Sequence, residues 1–184
     1  MKRIVSICAF MLMAFWGYSQ ENLVTVAGGY SFANIEDTDL SASGWRINGV
    51  YEFNPMEGKV AYGVAMGYIS LRAQQEENGV DTAEYKIATL PIYFAPKFMF
   101  GNEKIKGFLK GALGMQHSNF ERTGVAWVVE SSDWGFYGGL GAGAMFFVSD
   151  MIFIDVEYEF AWMSNSYYKD GLINSAMAGI GFRF

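Results

Sequence analysis

Eight segments of alternating polarity, a glycine- and aromatic-rich but proline-poor composition, and an amino-terminal export signal predict an all-β chain. They point to an eight-stranded antiparallel up-and-down transmembrane β-barrel. The 184 residues include 22 glycines but three prolines, and aromatics make up 17%. That balance suits short, closely packed strands. An apolar content of 52% excludes a disordered chain.

The export signal comes first. Lys2 and Arg3 form a positive start, and Ile4 to Tyr18 is uncharged and mostly apolar. Gly17, Ser19 and Gln20 close it before the polar Glu21. This is the layout of a cleaved signal, with cleavage expected near Gln20. The apolar run is shorter than the roughly 20 residues a membrane-spanning helix needs. Residues 1–20 are therefore assigned to the signal and 21–184 to the barrel. Cys8 does not mark a lipoprotein, because too few residues precede it. It is the only cysteine, so the exported chain is expected to lack disulfides and thiol chemistry. Without Lys2 and Arg3 the net charge of −6 becomes −8. An acidic chain with no basic patch excludes nucleic acid as a partner.

Trp45 to Asn54 is the clearest early strand. Trp45, Ile47, Gly49, Tyr51 and Phe53 alternate with Arg46, Asn48, Val50 and Glu52. Ile152 to Met163 is sharper still: Ile152, Ile154, Val156, Tyr158, Phe160 and Trp162 share one face, Asp155, Glu157 and Glu159 the other. On a helix those carboxylates would spread around the cylinder, whereas on a strand they align. The other six segments are Leu23–Ala33, Val60–Leu71, Tyr85–Phe100, Ile105–His117, Trp134–Val148 and Leu172–Phe184. Pro91 and Pro96 mark the fourth as an irregular strand or the site of a bulge, and leave its facing open. Short turns are expected at Asn54–Gly58, Gly101–Lys104 and Ser149–Met151. Longer loops are expected at Asn34–Ser43, Arg72–Glu84, Ser118–Asp133 and Ser164–Gly171. Short periplasmic turns opposite longer outer loops are the layout of an outer-membrane barrel.

A water-soluble barrel also alternates, so alternation alone does not identify the solvent. Val60–Leu71 and Trp134–Val148 carry no charge on either face. One face then suits lipid and the other a crowded lumen. Aromatics toward the strand ends, at Trp45, Tyr51, Phe53, Tyr62, Tyr68, Trp134, Phe146 and Trp162, are expected to form membrane-interface girdles. The amphipathic last strand ends Phe182-Arg183-Phe184. Phe182 and Phe184 resemble the signal read by the barrel assembly machinery.

The whole chain resembles the outer-membrane β-barrel (porin-like) proteins of Gram-negative bacteria, similar in shape to the OmpA transmembrane domain and OmpW. The resemblance is carried by Ala88-Thr89-Leu90-Pro91-Ile92-Tyr93-Phe94, by Gly107 to Gly114 and by Gly138-Gly139-Leu140-Gly141-Ala142-Gly143. These patterns concern fold and not chemistry. They imply an outer-membrane location and contact with outer-membrane lipid and lipopolysaccharide. A monomer is favoured, with the oligomeric state left open. No peptidoglycan-binding domain is expected after Phe184.

The four long loops hold eleven acidic and three basic residues, and the rest of the exported chain eight of each sign. Arg46, Glu52, Lys106, Lys110, Asp155, Glu157, Glu159 and Arg183 fall on inward positions. Buried charges need partners, so an ion-pair network should fill the lumen, with Arg183 meeting a strand-seven carboxylate. Eight strands leave an interior just wide enough for side chains. Three carboxylates spaced about 6.6–6.8 Å apart along a strand are too far apart to share one ion, and no metal or cofactor site is expected. His117-Ser118 is similar to the His-x-Ser pair of outer-membrane lipid A deacylases. Here the two are adjacent, so on a strand they face opposite ways unless a bulge intervenes. The expected function is non-enzymatic, in envelope integrity or surface contact through acidic loops. The alternatives are a narrow channel for small or hydrophobic solutes and, third, a lipid A-modifying enzyme.

Overall fold

A computed structural model describes residues 20–36, 40–55, 58–77, 80–124 and 127–184. Of the expected export signal, residues 1–20, positions 1–19 lie outside them. Eight strands form one closed antiparallel barrel in chain order: β1 (Gln20–Asn34), β2 (Ser41–Pro55), β3 (Val60–Glu77), β4 (Val80–Gly101), β5 (Ile105–Gly124), β6 (Trp127–Phe147), β7 (Ile152–Met163) and β8 (Leu172–Arg183). β1 closes against β8 from Leu23↔Arg183 to Phe32↔Asn174. Closure leaves no open edge within the barrel body, so every strand there pairs on both sides.

Alternation decides the facing. On β7 the residues from Ile152 to Trp162 at even positions are exposed, and those from Phe153 to Met163 at odd positions are buried. The outer face exposes Val26, Ile47, Val64, Met66, Ile92, Leu109, Leu113, Met115, Leu140 and Ile180 among many others. An apolar surface this continuous marks contact with lipid. At the tilt usual for membrane-barrel strands, a segment as long as Ile152 to Trp162 spans roughly 25 Å, the height of an apolar band.

Pro91 and Pro96 cause no bulge. β4 keeps one register with β3 from Val60↔Phe98 to Gln75↔Ala83, and one with β5 along its whole length. The ladder loses only the pairs beside each proline, where an N–H is missing. The register shift of the β3–β4 ladder lies elsewhere, between Gln75↔Ala83 and Glu76↔Asp81. The facing of β4 is now defined: Tyr85, Ile87, Thr89, Pro91, Tyr93, Ala95, Lys97 and Met99 point inward.

The expected loops need correction. Most of Arg72–Glu84 and Ser118–Asp133 is strand, because β3 to β6 run on for 18 to 22 residues. These stretches still alternate. Leu71, Ala73, Tyr85 and Ile87 stay inward while Arg72, Gln74, Glu84 and Lys86 face out. Polar side chains on the outer face mark where lipid gives way to water, not where pairing stops. β3 to β6 therefore rise as a four-stranded sheet above the other strands. Acidic residues 37, 39, 76, 77 and 81 of those expected loops lie outside the described residues or their described side chains. Ser164–Gly171 is a true connection, with a 3-10 turn at Lys169–Gly171. It folds over the mouth on this side, where Ile35 bridges Tyr168 and the Glu36 N–H donates to the Tyr167 carbonyl at 3.0 Å.

Candidate functional site

The lumen is built in layers. Under the Ser164–Gly171 connection lies an apolar layer of Ile35, Ile69, Leu71, Ile87, Met163 and Ile173 around Tyr168. The Tyr168 hydroxyl is 2.8 Å from Thr89 Oγ1, which is 2.9 Å from Ser118 Oγ. Burial raises the Tyr168 pKa, keeping the phenol neutral. Gln116 Nε2 donates to the Ser164 carbonyl at 2.9 Å, tying the connection to the wall.

Next comes the ionic layer. Glu159 on β7 stands 2.7 Å from Arg46 on β2 and 2.8 Å from Lys110 on β5, and all three are fully buried. Lys110 also pairs with Glu157, and the Tyr137 hydroxyl donates to Glu159. Arg46 further donates to Ser175 Oγ at 3.0 Å, Tyr137 at 3.1 Å and Tyr93 at 3.3 Å. Tyr93 and Tyr137 stack at 4.8 Å. One guanidinium thus links β2, β4, β6, β7 and β8 across the bore. Small inward residues make the room: a Cβ on Gly141 would lie 2.8 Å from Glu157 Oε1.

A second pair, Lys97–Glu52 at 2.7 Å, sits with the Lys97 ammonium 4.3 Å from the Phe108 ring centroid. Around it pack Leu23, Met99, Met145 and Phe153. Asp155 is buried, and its Oδ2 has no hydrogen-bond partner among the described residues. At the turn end Glu21 pairs with Arg183 at 3.1 Å and Lys106 at 3.5 Å, both cations lying over the Phe147 ring. Here the expected partner of Arg183 is corrected. It meets Glu21 of β1, and its Nε donates to the Asp150 carbonyl at 2.6 Å. In the β7–β8 register Ile152 already opposes Phe182, and Asp155 opposes Gly179. Arg183 thus lies one step beyond the end of β7, out of line with its carboxylates.

The eight inward charges named from sequence therefore separate. Arg46, Lys110, Glu157 and Glu159 form one cluster, Glu52 joins Lys97, Lys106 and Arg183 join Glu21, and Asp155 Oδ2 has no hydrogen-bond partner among the described residues. Sequence reasoning missed Lys97, hidden by Pro96 beside it, and Glu21, placed before the first strand. It also missed Tyr93 and Tyr137, whose inward parity was the available signal.

All eight aromatics named from sequence lie on the outer face. Trp45, Tyr68, Trp134 and Trp162 lie toward the raised sheet, with Trp45 and Tyr68 centroids 5.2 Å apart. Tyr51, Phe53, Tyr62 and Phe146 lie toward the short turns, where Phe182 and Phe184 are also exposed. His117 is not at a strand end as expected, because β5 continues to Gly124. It faces outward with its ring edge-on to Trp134 at 4.8 Å. Ser118 points into the lumen, 2.6 Å from Gln116 Oε1. β5 pairs with β6 without a shift through this point, so the two side chains stay on opposite faces.

Comparison with solved structures finds the same architecture. The attachment invasion locus protein Ail of Yersinia pestis aligns with a TM-score of 0.58 at 22% identity, covering 89% of this chain and 98% of that one. Neisserial surface protein A aligns at 0.65 and 14%, covering 89% and 97%. OprG, an outer membrane protein of Pseudomonas aeruginosa, aligns at 0.53 and 13%, covering 91% and 98%. No curated protein sequence matches the chain. The family profile described as outer membrane protein beta-barrel domain matches residues 4–184. With its closed eight-stranded wall and lipid-facing exterior, the chain belongs to that outer-membrane β-barrel family.

Proposed function

We propose that this protein is a non-conducting, non-enzymatic outer-membrane barrel that acts at the cell surface through its outer end and contributes to envelope integrity. The observation that carries this reading is the Arg46–Glu159–Lys110 cluster, which joins opposite walls of the bore beneath the Tyr168 cap. Moving an ion through it would separate buried charges, and removing one partner of such a pair costs about 3–5 kcal/mol. The separation of His117 and Ser118 onto opposite faces supports a role without hydrolysis. Ail, named for attachment and invasion and also solved with the heparin analogue sucrose octasulfate, shares this fold. The exported chain begins near Gln20, Phe182 and Phe184 serve barrel assembly, and the two aromatic belts contact the lipid and lipopolysaccharide interfaces of a monomer. The acidic residues of the outer end form its surface charge.

Single-channel recording of the refolded barrel in a planar bilayer tests this. A gel shift between unheated and heated samples first establishes folding. A silent bilayer is the expected result. Steady, reproducible openings would overturn the reading and make the protein a small-solute channel.

A further inference from the structure

β6 begins at Trp127, but its ladder with β7 begins only at Tyr137↔Met163. The upper part of β6 therefore has β5 on one side and no described strand on the other. Hydrogen bonds just above the ladder show which backbone groups face that side. The Phe136 carbonyl accepts from the Ser164 N–H at 3.0 Å, and the Phe136 N–H donates to Ser164 Oγ at 2.8 Å. Asn165 Nδ2 donates to the Trp134 carbonyl at 3.2 Å and closes the edge there. Backbone direction in a strand repeats every second residue. The N–H and C=O groups of Val128, Glu130 and Ser132 therefore point to the same open side, and no described strand pairs with them.

This edge is held in place. β5 pairs along its other side up to Gly124↔Trp127. The Tyr167 hydroxyl lies 2.8 Å from Ser131 Oγ and 3.1 Å from Asp133 Oδ2, and its ring stacks on Phe120 at 4.8 Å. Val128 and Val129 are 57% and 52% exposed on the two faces. A fixed strand with open backbone groups and exposed β-branched side chains is a template for strand addition.

We propose that the β6 edge from Val128 to Ser132 docks an extended, basic segment of an extracellular protein as an added strand. This rests on the reading of the barrel as a surface protein. Charge selects the occupant. Glu130 lies on the outer face directly opposite Glu121 in the ladder, and Asp133 is exposed on the inner face. Opposite charges facing each other across neighbouring strands stabilise a sheet, and like charges destabilise it. A strand with lysine or arginine opposite Glu130 is therefore favoured. The same edge from a second copy would bring further carboxylates into this row.

The test uses the refolded full chain in lipid nanodiscs. The probe is a peptide of about ten residues alternating lysine with valine or threonine, a length that spans the edge and its flanks. Its control is N-methylated at alternate residues, which keeps the charge and removes the donors. Saturable binding is expected, about tenfold weaker for the methylated peptide and similarly weakened by Ser132→Pro. Glu130→Gln should weaken it severalfold and reduce its dependence on salt. Equal binding of the two peptides, or none at millimolar concentration, would overturn the proposal. So would concentration-dependent pairing of barrels through this edge, which would assign it to a second copy. Because the peptide comparison uses the unaltered protein, the test stands even if the proline variant fails to fold. A silent barrel that ignores the peptide would overturn the docking site alone, whereas a conducting barrel would overturn the surface-protein reading.

Discussion

The two parts of the wall are built on different terms. β1, β2, β7 and β8 are 12 to 15 residues long, whereas β3 to β6 are 18 to 22. In the barrel body, lipid outside and a lumen packed with buried side chains inside dictate both faces of each strand. In the raised sheet, water meets the outer face, and Arg72, Lys86, Glu121 and Glu130 replace the apolar residues of the lower rows. A strand's stability thus depends on different neighbours along its length: buried charges below, ladder pairing and exposed cross-strand pairs above.

Substitutions sharpen that contrast, beginning with the largest effect. Glu159→Ala leaves Arg46 and Lys110 buried against fewer carboxylates, and should cost about 3–5 kcal/mol in urea unfolding from phospholipid vesicles. Gly141→Val forces a branched side chain toward Glu157 and Lys110, for an expected loss of about 1–3 kcal/mol by the same assay. Glu21→Gln weakens the pairs with Lys106 and Arg183 at the partly exposed turn end. Less than about 1 kcal/mol is expected there, and adding salt should shrink it further. Val129→Ser in the raised sheet should change unfolding by no more than about 0.5 kcal/mol. If Val129→Ser matched Glu159→Ala, the division between the two regions would be wrong.

The same division explains what could be read in advance. β7 was legible to the residue, Ile152–Met163, because one environment covers each of its faces throughout. The polarity pattern marks β6 only from Trp134, although the strand starts at Trp127, since Val128 to Asp133 no longer contrast an apolar face with a polar one. Backbone pairing carries that segment, and pairing leaves little trace in side-chain polarity. Inward charge was readable at Arg46, Lys110, Glu157 and Glu159 from parity alone. Who pairs with whom was not, because partners come from strands distant in sequence and depend on shear between neighbours. Arg183 shows this: parity put it inside, but closure against β1 put it beside Glu21.

Thiol accessibility tests the central claim, a sealed lumen beneath an exposed outer sheet. The only cysteine of the sequence is Cys8, so single cysteines can be introduced at Ser175, buried beside Arg46, at Ser132 on the open edge, and at Ser149 in a short turn. Intact cells are treated with a membrane-impermeant maleimide. Ser132→Cys should label quickly, Ser149→Cys only after the outer membrane is permeabilised, and folded Ser175→Cys in neither case. Labelling of Ser175→Cys in the folded barrel at a rate near that of Ser132→Cys would contradict the account, because it would show the lumen open to solution.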